Sequence, residues 1–180
     1  VPYFILVRTI ANFEEVSRLT DAPVILRIGL EDLDPIVCPS LKAVFYANTA
    51  VRNSHMIRFP ALTHIQLNHG DSDKIASVSP TFRQYDKNFV AGQAAIDRFA
   101  KHGVATRADQ FVIVGRPQLE HVERVVPGQP LPAAPTVLYS PTWSGFYEDS
   151  DYSSLVAGPD IVEALLRRGC TVIFRPHPYA

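Results

Sequence analysis

The stretch Phe111-Val112-Ile113-Val114-Gly115-Arg116-Pro117 contains an unbroken apolar run that ends in a glycine turn. Such a run, without polar alternation, is typical of a parallel strand buried on both faces. Similar runs occur along the whole chain, at Phe4–Val7, Val24–Ile28, Ala43–Tyr46, Thr63–Leu67, Asn88–Val90, Val137–Ser140 and Thr171–Phe174. Helical patterns between them are found at Asn12–Leu19, Gln93–His102, Gln118–Val125 and Asp160–Arg168. This alternation predicts a doubly wound α/β protein.

Residues that favour helix ends support several of these boundaries. Asn12 and Asp160 are suitable N-caps for the segments that follow them. Gly103 and Gly169 are placed to end the helices that precede them.

A proline-rich segment divides the chain. Residues 126–135 contain four prolines and no apolar periodicity, which predicts a semi-rigid interdomain linker. Residues 1–125 can form one Rossmann-like lobe, whereas residues 136–180 supply only one strand–loop–helix–strand unit. We therefore expect the second lobe to be incomplete and the chain to be a piece of a longer protein.

The composition excludes several classes of protein. The net charge is −1 over 180 residues, so no global field attracts nucleic acid or an anionic membrane. Cys38 and Cys170 have no metal or redox spacing, and we expect both to be buried thiols of a reducing compartment. The sequence has no apolar run long enough to span a bilayer, no signal peptide, no Walker A motif and no zinc spacing.

The motif Asn68-His69-Gly70 follows the predicted strand Thr63–Leu67. Ligands of open α/β sheets bind at the carboxyl ends of strands, so this position suits a site. His69 can accept a proton from an attacking hydroxyl, Gly70 allows a sharp turn and a close approach, and Lys74 can neutralise a phosphate. The alternative interpretation is a polar turn with a surface histidine.

The motif Arg175-Pro176-His177-Pro178 follows the predicted strand Thr171–Phe174. The two prolines restrict the backbone on both sides of His177. Arg175 supplies a permanently charged, fork-shaped donor suited to phosphate. The alternative is a proline-rich turn with a solvated arginine and histidine.

Two further strand exits carry candidate ligand groups. Thr142 and Ser144 follow the run Val137–Ser140 and offer hydroxyls, while Trp143 between them is expected to anchor the loop by packing. Arg116 follows the run Phe111–Val114, where a ligand-facing role and a plain strand-to-helix turn remain equally open. The segment Asp151–Ser154 is expected to be a solvated loop.

Five motifs in order resemble the CDP-glycerol glycerophosphotransferase family, the teichoic acid and capsule polymerases. They are His69-Gly70 with Lys74, the segment 85–90, Gly115-Arg116-Pro117, the segment 138–143 and Arg175-Pro176-His177-Pro178. Asn68 departs from the pattern, because the family often has an aromatic residue before His-Gly. The family's second phosphate motif follows Arg-Pro-His-Pro, so its role is not transferred to Asp151–Ser154.

The resemblance implies a GT-B fold and transfer of glycerol phosphate from CDP-glycerol to a lipid-linked or polymeric acceptor, with release of CMP. It implies work at the cytoplasmic face of the membrane, with peripheral attachment. No cofactor is expected beside the donor substrate CDP-glycerol, and dependence on a metal ion stays open. His69 would be the general base, and Arg175 and His177, helped by Thr142, would hold the donor pyrophosphate. Two alternatives remain: a GT-B enzyme that uses another nucleotide donor, and a non-catalytic lobe that binds an acceptor or partner.

Overall fold

The computed structural model of the chain describes residues 1–70, 75–123, 128, 133–145 and 151–178. The chain divides into two compact units, Val1–Val122 and Glu123–Ala180. Strands and helices alternate in both units, and every strand pair is parallel. The predicted α/β class is therefore confirmed, and the parallel sheets are consistent with a Rossmann-like fold.

The first unit contains a strand pair and a four-stranded sheet. The pair consists of β1 and β2, with helix α1 between them; the sheet consists of β3 to β6 in sequence order, with helices α2 and α3 in its connections. The bounds are β1 Ile5–Val7, α1 Ile10–Leu19, β2 Val24–Leu26, β3 Ala43–Tyr46, α2 Val51–Ser54, β4 Thr63–Gln66, β5 Lys87–Val90, α3 Gln93–Lys101 and β6 Phe111–Ile113. Short 3-10 segments complete the connections, at Glu31–Ile36, His55–Arg58, Ile75–Val78, Pro80–Gln84, Ala108–Gln110 and Pro117–Leu119.

The consecutive strand order places the core of the four-stranded sheet on one face. Right-handed crossovers that advance in one direction put all their connections on the same side of a sheet. On that side, Tyr46 and Tyr85 pack with Met56, while Phe82 and Phe99 form a second cluster. On the opposite face Phe45, Leu67, Val112 and Val114 are exposed. Within the described residues this face is therefore covered only in part, because Ile65, the direct partner of Phe45, is buried on it.

Two buried polar groups hold the first unit together. The Arg8 guanidinium donates to the main-chain oxygens of Arg27, Ile28, Gly29 and Arg52. Burial, with the nearby charge of Arg52, lowers its pKa. Main-chain oxygens accept these bonds and stabilise the charge, and the nearby carboxylate of Asp32 also favours the charged form.

The second polar group is a tyrosine–histidine pair in the core. His64 Nε2 lies 3.1 Å from the Phe59 carbonyl oxygen and must donate to it, so Nδ1 accepts from the Tyr46 hydroxyl at 2.8 Å. Burial raises the pKa of Tyr46.

The strands lie where the apolar runs predict them, but three predicted helix features are wrong. Helix α1 begins at Ile10, and its N-cap is Thr9 rather than Asn12. The Thr9 side-chain oxygen accepts a hydrogen bond from the main-chain N–H of Asn12 at 3.2 Å. The last helix begins at Gly158, which puts Asp160 in its first turn. The described part of the predicted helix Gln118–Val125 is a 3-10 turn, because its apolar Leu119 and Val122 are exposed and no packing stabilises so short a helix.

The second unit pairs β7 (Thr136–Tyr139) with β8 (Thr171–Phe174), connected through helix α4 (Gly158–Arg167). Gly169 has a φ of 75° and ends this helix as expected, as Gly103 (φ 66°) does for α3. Cys38 is exposed and Cys170 is partly buried, so the expectation of two buried thiols is wrong for Cys38. Among the described residues, no helix has the length and apolarity needed to cross a membrane.

Candidate functional site

A pocket of about 740 Å³ lies in the first unit, where β3 to β6 end. We call this the carboxyl edge of the sheet. Each strand exit contributes to the pocket: Asn48 and Thr49 after β3, residues 67–70 after β4, Ala91 after β5, and residues 114–118 after β6. Phe82, Ala95 and Phe99 form its apolar wall. Its position agrees with the rule that parallel sheets bind ligands at this edge.

Asn68 makes the turn that carries the chain out of β4. Its φ is 59°, and among the described residues it is the one residue other than glycine that has a positive φ. Asparagine tolerates this left-handed conformation better than most residues do. Its side-chain amide donates to the Phe89 oxygen at 2.8 Å, and its own N–H donates to Gln66 Oε1 at 3.2 Å. The turn is thus fixed by bonds to β4 and β5.

His69 is exposed at the pocket, and its protonation pattern is set by one hydrogen bond. Its Nδ1 lies 3.0 Å from the main-chain oxygen of Ala47, which can only accept. Nδ1 therefore carries a proton, and in the neutral ring Nε2 is the unprotonated nitrogen. A histidine held in this tautomer can remove a proton from a nearby hydroxyl.

The other predicted residues of this motif differ from expectation in part. Gly70 lines the pocket, but it lacks a positive φ, so the sharp turn predicted for it occurs at Asn68 instead. A Cβ placed on Gly70 would meet none of the described residues within 4 Å. Lys74 lies outside the described residues.

Arg116 lines the same pocket as His69 and Gly70. Gly115 before it has a φ of 74°, a conformation that favours glycine, and Pro117 after it starts a 3-10 turn. No carboxylate occurs among the described residues that line the pocket. Arg116 is therefore the one permanently charged residue in the described lining.

Two buried amides at the pocket were missed by sequence reasoning. Gln66 and Asn88 are both 0% exposed and face each other across β4 and β5. Within the part of the chain that the structure describes, the Gln66 nitrogen and the Asn88 side-chain oxygen have no hydrogen-bond partner. Their sequence signal was an amide inside each strand-forming segment, Thr63–Gln66 and Lys87–Val90, where apolar residues are usual.

The Tyr85 hydroxyl also has no partner in hydrogen-bond geometry. Burial raises the pKa of Tyr85, and the nearby Gln84 and Gln66 side chains oppose this effect. Gln66 is thus close to this hydroxyl without completing a bond to it.

The second unit brings together the other predicted residues. The Arg175 main-chain N–H donates to Tyr139 oxygen at 2.9 Å, and the Arg175 side chain is exposed. The His177 ring stacks on Trp143, with ring centroids 5.9 Å apart and an angle of 19° between the planes. Thr142 is partly buried and Ser144 is exposed. Trp143 therefore joins the exits of β7 and β8, and its partner is the candidate histidine.

The segment Asp151–Ser154 is largely exposed, and its two serines are hydrogen-bonded to the strand exit of β7. Ser153 Oγ donates to the Thr142 oxygen at 2.6 Å, and the Tyr139 hydroxyl donates to the Ser154 oxygen at 2.9 Å. Asp151, Tyr152 and Ser154 are exposed, in agreement with the expected solvated loop, whereas Ser153 is partly buried.

Elsewhere in the described parts of both units, no group of three or more His, Cys, Asp or Glu side chains could hold a metal ion. Comparisons with protein-family models, curated proteins and solved structures found no match to this chain.

Proposed function

We propose that the chain belongs to a transferase that moves glycerol phosphate from CDP-glycerol to a hydroxyl of a lipid-linked or polymeric acceptor and releases CMP. A GT-B fold and attachment to the cytoplasmic face of the membrane are parts of the same proposal. The proposal rests on the ordered motifs of the sequence and on one observation in the first unit. That observation is the His69 tautomer, fixed by Ala47 at the pocket that Arg116 also lines.

In the proposed reaction, the acceptor hydroxyl attacks the phosphorus that carries the glycerol. Its proton goes to His69 Nε2, a new phosphorus–oxygen bond forms, and the bond to the phosphate of CMP breaks. Phosphoryl transfer mainly requires positioning and neutralisation of charge. A histidine base typically contributes about 10²–10⁴-fold.

The second unit would hold the donor. Arg175 provides two parallel N–H donors for a pyrophosphate, and His177 adds a donor whose ring plane is fixed by Trp143. Thr142 and Ser144 supply hydroxyls at the neighbouring strand exit. Charge on the leaving CMP would be offset by Arg175 and by protonated His177.

The test is an assay of the protein, produced from its complete gene, with CDP-glycerol and a membrane acceptor. We expect His69→Ala to lose at least about 10²-fold in turnover, because the base is removed. CDP-glycerol binding should be unchanged in the same variant, since its donor groups are intact. Arg175→Ala should instead weaken donor binding.

His102→Ala is the matched control, because His102 is exposed at the end of α3 and is not among the lining residues. This variant should retain full turnover. Loss of donor binding in His69→Ala would contradict the assignment of the base. Turnover with a nucleotide sugar or CDP-ribitol, and none with CDP-glycerol, would favour the GT-B enzyme with another donor.

A further inference from the structure

We infer that Gln66 and Asn88 form a hydroxyl-binding subsite in the pocket of the first unit, and that its ligand carries a hydroxyl together with an anionic group. The inference rests on the proposed function only in treating this pocket as a substrate site. We call the two residues the amide pair.

The sheet register sets the amide pair side by side. Gln66 on β4 and Asn88 on β5 are direct partners in the parallel ladder, so their side chains lie on the same face. This is also the face where Phe82 and Phe99 form the wall of the pocket.

The orientation of each amide follows from the bond it already makes. Gln66 Oε1 accepts from the Asn68 N–H. Among the described residues the Gln66 nitrogen completes no hydrogen bond, although the Tyr85 hydroxyl lies near the Gln66 side chain. Asn88 Nδ2 donates to the Phe82 oxygen at 3.2 Å, which leaves its Oδ1 without a partner. The pair therefore presents one donor and one acceptor on adjacent strands.

A donor beside an acceptor selects a particular chemical group. A hydroxyl can accept from the Gln66 nitrogen and donate to the Asn88 oxygen at the same time. A phosphate or carboxylate oxygen can satisfy only the Gln66 nitrogen, and an ammonium group can satisfy only the Asn88 oxygen. Unmade bonds of buried polar groups are costly, so a ligand that completes both is favoured over an analogue that lacks the hydroxyl.

Arg116 would bind the anionic group of the ligand, while the amide pair binds its hydroxyl. It is a cationic group in a lining whose described residues include no carboxylate. An anionic group at Arg116 and a hydroxyl at the amide pair together fit a hydroxylated anion, of which a polyol phosphate is one example. Both amides are closed to solvent in this structure, so a ligand must displace neighbouring side chains to reach them.

The experiment compares three probes by NMR titration of the protein: glycerol 3-phosphate, propyl phosphate and inorganic phosphate. We expect glycerol 3-phosphate to bind about tenfold or more tightly than propyl phosphate, and its addition should shift the side-chain amide signals of Gln66 and Asn88. Equal binding of the two organic phosphates would overturn the inference, and so would the absence of binding. Unchanged amide signals would do the same, since they would indicate a buried water as the only occupant.

Gln66→Met and Asn88→Leu test the pair directly. Each should reduce the preference for glycerol 3-phosphate to less than about threefold and leave binding of inorganic phosphate unchanged, because Arg116 is intact. The matched control is Gln110→Met. Gln110 is a buried amide whose nitrogen already donates to Phe82 and Tyr85 oxygens, and it does not line the pocket. This control should retain the preference.

If the variants fail to fold, the comparison of probes with the unmodified protein still decides the question. A preserved hydroxyl preference without any turnover of CDP-glycerol would overturn the proposed function and leave the subsite in place. A preference that persists in folded Gln66→Met and Asn88→Leu would overturn the subsite and leave the proposed function in place.

Discussion

Substitution of Asn68 should separate the contribution of its side-chain hydrogen bond to stability from the cost of its left-handed backbone. The bond from its side chain to the Phe89 oxygen, 2.8 Å long, contributes about 0.5–1.5 kcal/mol. Its left-handed backbone, at a φ of 59°, costs an ordinary L-residue about 1–2 kcal/mol. Asn68→Ala loses the bond and also incurs the backbone cost, so we expect it to reduce the free energy of unfolding by about 1.5–3.5 kcal/mol.

Asn68→Gly loses the same bond but adopts the left-handed region readily. It should therefore be more stable than Asn68→Ala by about 1 kcal/mol, even though glycine gains entropy in the unfolded chain. Asn12→Ala is a suitable control, because Asn12 is exposed on α1, and it should change stability by less than about 0.5 kcal/mol.

The measurement is urea unfolding followed by circular dichroism, because the single tryptophan, Trp143, reports on the second unit. If Asn68→Ala is as stable as the original protein, the left-handed turn is not present in solution. If the alanine and glycine variants are equally destabilised, the hydrogen bond alone carries the effect and the backbone argument is wrong.

Three further predictions concern groups outside the pocket. Arg8→Met should lower the thermal midpoint of the first unit by more than any other variant proposed here, because four main-chain oxygens lose their donor; a midpoint near that of the original protein would refute this. The raised pKa values of Tyr46 and Tyr85 mean that the folded state keeps protons that the unfolded state releases. The contribution of these two tyrosines to the free energy of unfolding should therefore be constant below about pH 10. Above that pH it should fall by about 1.4 kcal/mol per pH unit for each tyrosine. Urea midpoints measured against pH should fall less steeply for Tyr46→Phe than for the original protein. The hydrogen bond to Ser40 lowers the pKa of Cys38, so iodoacetamide should label Cys38 more slowly in Ser40→Ala, as read by mass spectrometry; an unchanged rate would refute that cause.

The strands could be predicted from sequence because a buried parallel strand requires several consecutive apolar residues, and such runs are visible in the sequence. The helix starts were less predictable. Thr9 and Asn12 are both suitable caps, and the choice depends on where β1 ends and the chain turns, which is a tertiary property. The segment after Pro117 has helix-forming residues, but its apolar side chains pack against nothing that would stabilise a helix there.

The candidate site also contains some residues that could be located from sequence and others that could not. His69 and Arg116 could be located from sequence, because ligand groups of parallel sheets follow the strands. The amide pair could not, because Gln66 and Asn88 become neighbours only through the register of β4 against β5. The tautomer of His69 was equally hidden, since its determinant is the main-chain oxygen of a residue 22 positions away.

Residues 68 and 69 also connect three strand exits. Asn68 extends the end of β4 and is bonded to Phe89 on β5, while His69 is bonded to Ala47 just after β3. Local opening of this edge would therefore break the two bonds that orient the histidine, and the same fluctuation would expose the strand ends to solvent. Hydrogen exchange of the amides at the ends of β3 and β5 should then report the fraction of molecules whose histidine is correctly oriented. The frequency of this opening, rather than global unfolding, would set the temperature at which the pocket ceases to work.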